Sequence, residues 1–238
     1  MRSSAFVGAD EPPEPPPDPV EAEPDEPAEP AWPEFPPLPA APPPGTAPKP
    51  VPKPRIAPQR LMKLLSEAIP PEAVVALDTG DHTLWWGRCF ENRGQRVLLS
   101  GRWRTLGFAL PAAIAASLAC PGRPVVAVAG DGGAQQTLLE LKTASKLGLP
   151  IVMIIVNNGA YAIERNRMLS AGLEPLGAYL DNPDFAALAK ALGAEGVRAG
   201  DEDAFCCALE EAFKIDRPAK PFLIDAAVSP DPVPHTTL

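Results

Sequence analysis

The sequence predicts an α/β protein built on a doubly wound, mostly parallel sheet. Two observations lead to this prediction. Apolar runs without polar interruption, such as Val125–Ala129 and Ile151–Val156, have the composition of strands that are covered on both faces. Between such runs Ala and Leu recur at helical spacing, so strands and helices alternate along the chain, which is the pattern of parallel strands joined by helical crossovers.

The chain begins with a proline-rich segment that is not expected to fold. Of the 34 prolines, 21 precede Gln59, and acidic residues such as Glu11 and Glu14 are interspersed with them. Proline removes backbone donors, and charged residues provide no apolar surface for a core. We therefore predict an extended, disordered arm over residues 1–55, a folded domain over residues 56–229 and a short tail over residues 230–238.

Composition and charge exclude several classes of function. Most of the net charge of −9 belongs to the arm, and the folded part has no basic stripe, so a nucleic-acid partner is not expected. No apolar stretch reaches the roughly 18 residues of a membrane span, and no export signal is evident at the N-terminus. The four cysteines show no CxxC spacing, which favours reduced thiols and a cytoplasmic location.

The first half of the folded domain predicts two helices and two extended runs. A helix over Gln59–Ala68 ends before a pair of prolines, and the apolar run Ala73–Leu77 predicts a buried strand. A second extended run covers Arg96–Ser100. The helix Leu106–Ala119 follows, with a proline within its first turns, and it ends at a Cys-Pro-Gly sequence.

The second half predicts a βαβ unit followed by further alternating elements. The strands Val125–Ala129 and Ile151–Val156 enclose a helix from about Gln136 to Leu147. A later helix and three further elements complete the series. Asn182 or Asp184 is available as the N-cap of that helix. These four elements are the helix Phe185–Leu192, the extended run Gly196–Arg198, the helix Asp203–Phe213 and the strand Phe222–Ala227.

Polar residues and glycines follow three of the predicted strands, at the edge where doubly wound sheets bind ligands. They are Asp78–His82, Gly130–Gly133 and Asn157–Gly159. Asp131 and Asn158 offer a carboxylate and an amide oxygen, which suit Mg²⁺ or Ca²⁺. The glycines allow backbone N–H groups and the next helix to approach an anion closely. The pattern indicates a site for a metal and a phosphate, although Gly-Asp-Gly alone would indicate only a tight turn.

The order and spacing of these motifs resemble a known cofactor site. Gly130–Gly132 and Asn157–Asn158 stand at the spacing of the thiamine-diphosphate-binding motif, and Glu140–Ala144 and Gly148–Ile151 also look like that family. The chain resembles the C-terminal cofactor-binding domain of the pyruvate oxidase, acetolactate synthase and benzoylformate decarboxylase family over about residues 56–229. The resemblance implies thiamine diphosphate and Mg²⁺ as cofactors.

The resemblance also implies roles for twelve residues. Asp131, the side chain of Asn158 and the backbone carbonyl of Ala160 would be the protein ligands of Mg²⁺, and the backbone at Gly132 and Gly133 would contact the diphosphate. The other members of the implied cofactor site are Gly80, Asp81, His82, Arg104, Leu106, Gly130 and Tyr161.

Two further parts of the sequence carry specific expectations. Gly80–Thr83 resembles the family's other phosphate-contacting turn, where Asp81 is a departure, because a carboxylate repels a diphosphate unless it points away or His82 compensates its charge. Backbone contacts are therefore expected there. The resemblance implies that Leu106 lies beneath the bent cofactor. It also implies that the backbone carbonyl of Arg104 accepts a hydrogen bond from the cofactor's aminopyrimidine. The alternative is that Leu106 is the first core residue of its helix.

The glutamate that relays protons in this family comes from a separate pyrimidine-binding domain, and no glutamate of the arm is a credible substitute. Two hypotheses remain. The chain is a subunit of a homo- or hetero-oligomeric enzyme that acts on a small 2-oxo acid such as pyruvate and needs a separate pyrimidine-binding domain or subunit. Alternatively, it is a non-catalytic or truncated cofactor-binding domain that serves as an interaction module.

Overall fold

The structure is a computed structural model that describes residues 55–230. The predicted arm, except for Arg55, and the predicted tail, except for Pro230, lie outside the described residues. Among the helices of the described part, none has the length and apolarity that crossing a bilayer would require.

Six parallel strands form one sheet, in the order β2-β1-β3-β4-β6-β5. The strands are β1 (Val74–Leu77), β2 (Arg96–Leu99), β3 (Val125–Gly130), β4 (Val152–Asn157), β5 (Glu195–Ala199) and β6 (Phe222–Ala227). All five pairings are parallel, so the predicted fold class is confirmed, without an antiparallel member among these strands. The central strands β1, β3, β4 and β6 consist largely of buried residues, as expected for a sheet covered on both faces.

Helices cover both faces of this sheet. They are α1 (Pro58–Ala68), α2 (Asp81–Cys89), α3 (Ala109–Ala119), α4 (Asp131–Thr137), α5 (Leu141–Lys146), α6 (Ala162–Ser170), α7 (Phe185–Ala191) and α8 (Glu202–Ala212), with a 3₁₀ turn, Leu138–Glu140, between α4 and α5. The core on one face joins α1, α2 and α8 to the sheet, and the core on the other joins α3, α4, α5 and α7. The result is a three-layer α/β sandwich.

The direction of the chain across the sheet changes at β1. From β1 the chain moves to β2 on one side, and it then returns to β3 on the other side of β1. Connections that leave neighbouring strands in opposite directions open a crevice at the carboxyl ends of those strands. The residues that follow β1 and β3 therefore flank such a crevice.

Two helices differ from the prediction at this edge. The helix after β3 begins at Asp131, five residues before the predicted start, and it is interrupted by the 3₁₀ turn. The predicted start at about Gln136 left Gly132 and Gly133, which are weak helix formers, outside the helix, whereas the structure places both in the first turn of α4. The helix α3 begins at Ala109 and not at Leu106.

The helices α2 and α6 were not predicted. In α2 the sequence contains a histidine, a threonine, two tryptophans and a glycine, none of them a strong helix former. Tertiary packing stabilises the helix, because Trp85 and Trp86 are buried in the core and the ring of Trp86 stacks on that of Phe90. α6 buries only Ala162, so it has no apolar stripe for the sequence to reveal.

Candidate cofactor site

One cavity at the carboxyl edge of the sheet brings the implied site residues together. It lies between the exits of β1 and β3, has a volume of about 290 Å³, and is lined by all twelve of them. The other lining residues are Thr79, Val156, Ala162, Ile163 and Glu164. Sites that enclose a whole small-molecule ligand measure roughly 300–1,000 Å³, so this cavity is near the lower limit. The roles of the twelve residues in binding remain predictions.

Asp131 is the most buried ionisable group of the cavity. Its side chain is 2% exposed, and its Oδ2 accepts hydrogen bonds from the Gly159 N–H (2.8 Å) and from Nδ2 of Asn182 (2.7 Å). Burial raises the pKa of the carboxyl group, and these hydrogen bonds oppose the shift. A cation bound at Asp131 would favour the charged form further.

The turn after β4 supplies the other oxygens expected of a metal site. Oδ1 of Asn158 accepts a hydrogen bond from the Ala160 N–H (3.1 Å). Ala160 forms an antiparallel bridge with Tyr179, in which the Tyr161 N–H donates to the carbonyl of Ala178 and the carbonyl of Gly159 accepts from the Leu180 N–H. The bridge itself does not use the carbonyl of Ala160. Within residues 55–230 no three His, Cys, Asp or Glu side chains form a metal-binding group. The donor set fits a hard cation such as Mg²⁺ whose coordination is completed by phosphate oxygens and water.

Gly132 and Gly133 have close neighbours that a side chain at either position would crowd. A Cβ atom on Gly132 would lie 2.3 Å from Cε1 of Tyr161, and one on Gly133 would lie 3.1 Å from Oδ2 of Asp78. Both N–H groups belong to the first turn of α4, where backbone donors have no partner within the helix. The cavity therefore presents bare backbone beside Asp131, as binding of an anion requires.

The exit of β1 is organised by a buried hydrogen-bond cluster around Asp78. The carbonyl of Asp78 accepts hydrogen bonds from Nε2 of His82 (3.1 Å) and from Oγ1 of Thr83 (2.5 Å). Because a carbonyl oxygen only accepts, Nε2 of His82 carries the ring proton. Burial lowers the pKa of His82 to about 4, so the ring is neutral at pH 7. His82 therefore does not compensate the charge of Asp81, which was one of the two alternatives.

Asp81 lines the cavity, but its carboxylate already has a partner in the protein. It is 9% exposed, and its Oδ2 accepts a hydrogen bond from Nε1 of Trp85 (3.0 Å), one turn along α2. Burial raises the pKa of Asp81 to about 6, against the hydrogen bond from Trp85 and the attraction of Arg165. The side chain is thus a buried carboxyl group that ionises with difficulty.

Replacing Asp81 with asparagine is expected to stabilise the chain at neutral pH. Between pH 3.8, the ordinary pKa of the group, and about pH 6, the folded form binds more protons than the unfolded form, so the contribution of Asp81 to stability falls as pH rises. An asparagine at this position cannot ionise and can still accept a hydrogen bond from Trp85. Urea unfolding should show the variant more stable by roughly 2 kcal/mol at pH 7.5 and equally stable at pH 4. An advantage that is independent of pH would contradict this explanation.

The segment before α3 places Leu106 at the cavity. Oδ2 of Asp78 accepts a hydrogen bond from the Gly107 N–H (3.0 Å), and Oγ1 of Thr137 donates to the Gly107 carbonyl (3.0 Å). Leu106 therefore precedes α3 and is half-buried in the cavity wall, so the alternative that it is the first core residue of the helix is wrong. Arg104 has φ of 49°, a left-handed conformation that is unfavourable for a residue with a side chain.

Two residues that support the site without lining the cavity, Arg55 and Asn182, were not identified as such from the sequence. Nη1 of Arg55 donates hydrogen bonds to the carbonyls of Asn158 (3.2 Å) and Val228 (3.3 Å), so it fixes the turn after β4. Asn182 contacts Asp131, whereas Asp184 is the N-cap of α7 and accepts from the Ala187 N–H (2.9 Å). Arg55 stands in no motif, and Asn182 was singled out only as a possible N-cap of α7.

Comparisons with known proteins point to the same site. A family described as "Thiamine pyrophosphate enzyme, C-terminal TPP binding domain" matches residues 78–226. The chain is 35% identical over 179 residues to the thiamine pyrophosphate-containing protein YdaP of Bacillus subtilis, an alignment that covers 74% of this chain and 30% of that protein. It is 33% identical over 175 residues to the acetolactate synthase of the same organism, covering 73% of this chain and 30% of that enzyme.

A solved structure agrees with these sequence matches. The thiamine diphosphate-dependent 4-hydroxybenzoylformate decarboxylase of Rhodococcus jostii RHA1 superimposes with a TM-score of 0.65 and 28% sequence identity, covering 74% of this chain and 33% of that one. The resemblance found in the sequence is therefore confirmed. The chain spans only about a third of the length of the relatives it matches.

Proposed function

The chain belongs to the thiamine pyrophosphate enzymes and carries their C-terminal cofactor-binding domain, and from this membership we propose that it binds the diphosphate of the cofactor through Mg²⁺ as part of an enzyme that decarboxylates a 2-oxo acid. Thiamine pyrophosphate and thiamine diphosphate are the same molecule. The observation that carries the proposal is the cavity at the β1–β3 crevice, which all twelve implied residues line.

The metal would be held by oxygens from two neighbouring strand exits. Asp131 contributes the charged ligand, the side chain of Asn158 a neutral oxygen, and Ala160 its backbone carbonyl, with diphosphate and water completing the coordination. The bare backbone at Gly132 and Gly133 gives the diphosphate N–H donors at close range. Because Asp131 and a diphosphate are both anionic, the metal is needed to join them.

The rings of the cofactor would lie against three other residues that line the cavity. Leu106 offers an apolar surface there, the carbonyl of Arg104 an acceptor for the pyrimidine amino group, and Tyr161 a ring beside Gly132. When bound, thiamine diphosphate supplies the carbon nucleophile and electron sink through which a 2-oxo acid loses carbon dioxide. The task of this chain is to anchor and orient that group.

The catalytic glutamate is proposed to come from a separate pyrimidine-binding domain or subunit. Asp81 and Asp131, two of the three carboxylates that line the cavity, already accept hydrogen bonds within the chain. The chain also spans about 30% of the relatives' length, which leaves room for such a domain in them. We propose a homo- or hetero-oligomer acting in the cytoplasm on a small 2-oxo acid such as pyruvate, in the manner of an acetolactate synthase or a pyruvate oxidase. The free cysteines of the described part fit that compartment.

Titration calorimetry with thiamine diphosphate and Mg²⁺, followed by an assay of pyruvate consumption, tests the proposal. We expect the chain to bind the cofactor only when Mg²⁺ is present, and to consume pyruvate only together with a pyrimidine-binding subunit. Turnover by the chain alone would refute the need for a second subunit. Absence of binding in every combination would instead support the interaction-module hypothesis.

A further inference from the structure

A chain of polar side chains, buried except for the partly exposed Asn182, runs across the sheet to Asp131. It begins at Asp225, which is 0% exposed in the apolar strand β6. Oδ2 of Asp225 accepts a hydrogen bond from Nη1 of Arg198 (2.6 Å) on β5, and its Oδ1 accepts one from Nδ2 of Asn157 (2.8 Å) on β4. Asp225 does not line the cavity.

Asn157 and Asn182 continue this chain to the proposed metal ligand. Oδ1 of Asn157 accepts a hydrogen bond from Nδ2 of Asn182 (3.0 Å), and the same Nδ2 donates to Oδ2 of Asp131 (2.7 Å). Oδ1 of Asn182 accepts from Nε2 of Gln135 (2.7 Å), which lies one turn after Asp131 in α4. The amide of Asn182 thus bonds to three different side chains.

The two carboxylates allow only one orientation of the amides between them. A carboxylate accepts and an amide nitrogen donates, so Asp225 requires the NH₂ group of Asn157 to face it. The oxygen of Asn157 then faces Asn182, whose NH₂ group must serve both this oxygen and Asp131. Reversing either amide would bring two acceptors into contact, and the chain therefore fixes the carboxylate of Asp131 in one position.

Stability alone does not account for these groups. The carboxylate of Asp225 is buried, whereas its ion-pair partner Arg198 is half-exposed, and such a pair adds little net stability. Apolar residues of similar size often serve as well at a buried charged position. The other residues of β6 are all apolar. The alignment of Asp225 with Asp131 is instead explained if the orientation of the Asp131 carboxylate matters.

We propose that Asn182 and Asp225 are positioning residues for the metal ligand Asp131. They act through Asn157, the first member of the Asn-Asn pair, which does not itself line the cavity. Hydrogen-bond partners of a metal ligand hold it ready and strengthen metal binding. The proposal rests on the proposed function, because it assigns the orientation of a ligand in that site.

The test measures the affinity of the full chain for Mn²⁺, used in place of Mg²⁺, in the presence of thiamine diphosphate. Asn182→Ala and Asp225→Asn should each weaken Mn²⁺ binding about tenfold. Gln95→Ala is the matched control, since Gln95 is also a buried amide with hydrogen bonds to backbone, but lies just before β2, at the opposite edge of the sheet. Its Mn²⁺ affinity should equal that of the wild type.

A double variant separates positioning from a general loss of stability. If Asn182 and Asp225 act through one chain, the double variant should lose less Mn²⁺ affinity than the product of the single losses. If Asp225→Asn does not fold, Arg198→Gln removes the ion pair that holds the Asp225 carboxylate, at a half-exposed side chain, and should weaken Mn²⁺ binding in the same direction. The proposal, but not the proposed function, would be overturned if Asn182→Ala bound Mn²⁺ with wild-type affinity and either Asp225→Asn or Arg198→Gln did so as well. No Mn²⁺ binding by the wild type would overturn it together with the proposed function.

Discussion

Replacing Asp131 with alanine is expected to weaken Mg²⁺-dependent binding of thiamine diphosphate at least ~100-fold, or ~2.7 kcal/mol of binding free energy. The variant removes the charged ligand that the metal would use. It also removes the oxygen that accepts hydrogen bonds from the Gly159 N–H (2.8 Å) and from Nδ2 of Asn182 (2.7 Å). The turn that carries Asn158 therefore loses a restraint. Titration calorimetry at a fixed concentration of Mg²⁺ measures the loss.

Two further variants separate charge from shape at this position. Asp131→Asn keeps an oxygen acceptor but not the charge, and it should bind more weakly than the wild type and more tightly than Asp131→Ala. Asp203→Ala is the matched control, because Asp203 is likewise in the first turn of a helix, α8, but is exposed. Its cofactor affinity should be unchanged. Equal affinity in Asp131→Ala and the wild type would contradict the metal site.

The strands and the candidate site could be predicted because their signals are local. Runs such as Val125–Ala129 and Phe222–Ala227 are apolar on both faces, so a central parallel strand is the economical interpretation. The glycines and polar residues that follow such strands then fall at one edge of the sheet, whereas Arg104, Leu106 and Ala160 were implied by the family resemblance, and all twelve line one cavity.

Gly132 and Gly133 line the cavity, but the secondary structure predicted for them was wrong. Gly132 and Gly133 lay outside the predicted helix, which began at about Gln136, yet they are part of α4. A side chain at either position would crowd Tyr161 or Asp78, which come from other parts of the chain. Such crowding is a property of the assembled fold, and the sequence around Asp131 does not reveal it.

The residues behind the site could not be predicted for a related reason. Asn182 and Asp225 are 43 positions apart, and they come together with Asp131 only because the sheet order places β6 beside β4. One signal was available, since Asp225 is the single ionisable residue of an otherwise apolar strand. A charge in such a strand indicates a buried partner, although it does not identify Asn157 or Arg198 as that partner.

Gly196→Ala is expected to give the largest loss of stability, lowering the free energy of unfolding by about 3 kcal/mol. A Cβ atom on Gly196 would lie 2.3 Å from the carbonyl oxygen of Ala186 and 2.9 Å from Cβ of Ala189, both on α7. The closer contact is with backbone, so α7 has to move away from β5. In a domain of this size the melting temperature should fall by about 6–12 °C, as differential scanning calorimetry can measure.

Gly200→Ala separates this steric effect from the general effect of replacing a glycine. A Cβ atom on Gly200, just beyond β5, would have nothing within 4 Å, so its stability should stay within about 0.5 kcal/mol of the wild type. Displacement of α7 would also reach the cofactor site, because Asn182 lies only three residues before that helix and donates to Asp131. Folded Gly196→Ala is therefore expected to bind Mg²⁺ and thiamine diphosphate more weakly than Gly200→Ala does. Equal stability of the two variants would show that α7 packs less closely on β5 than the structure has it.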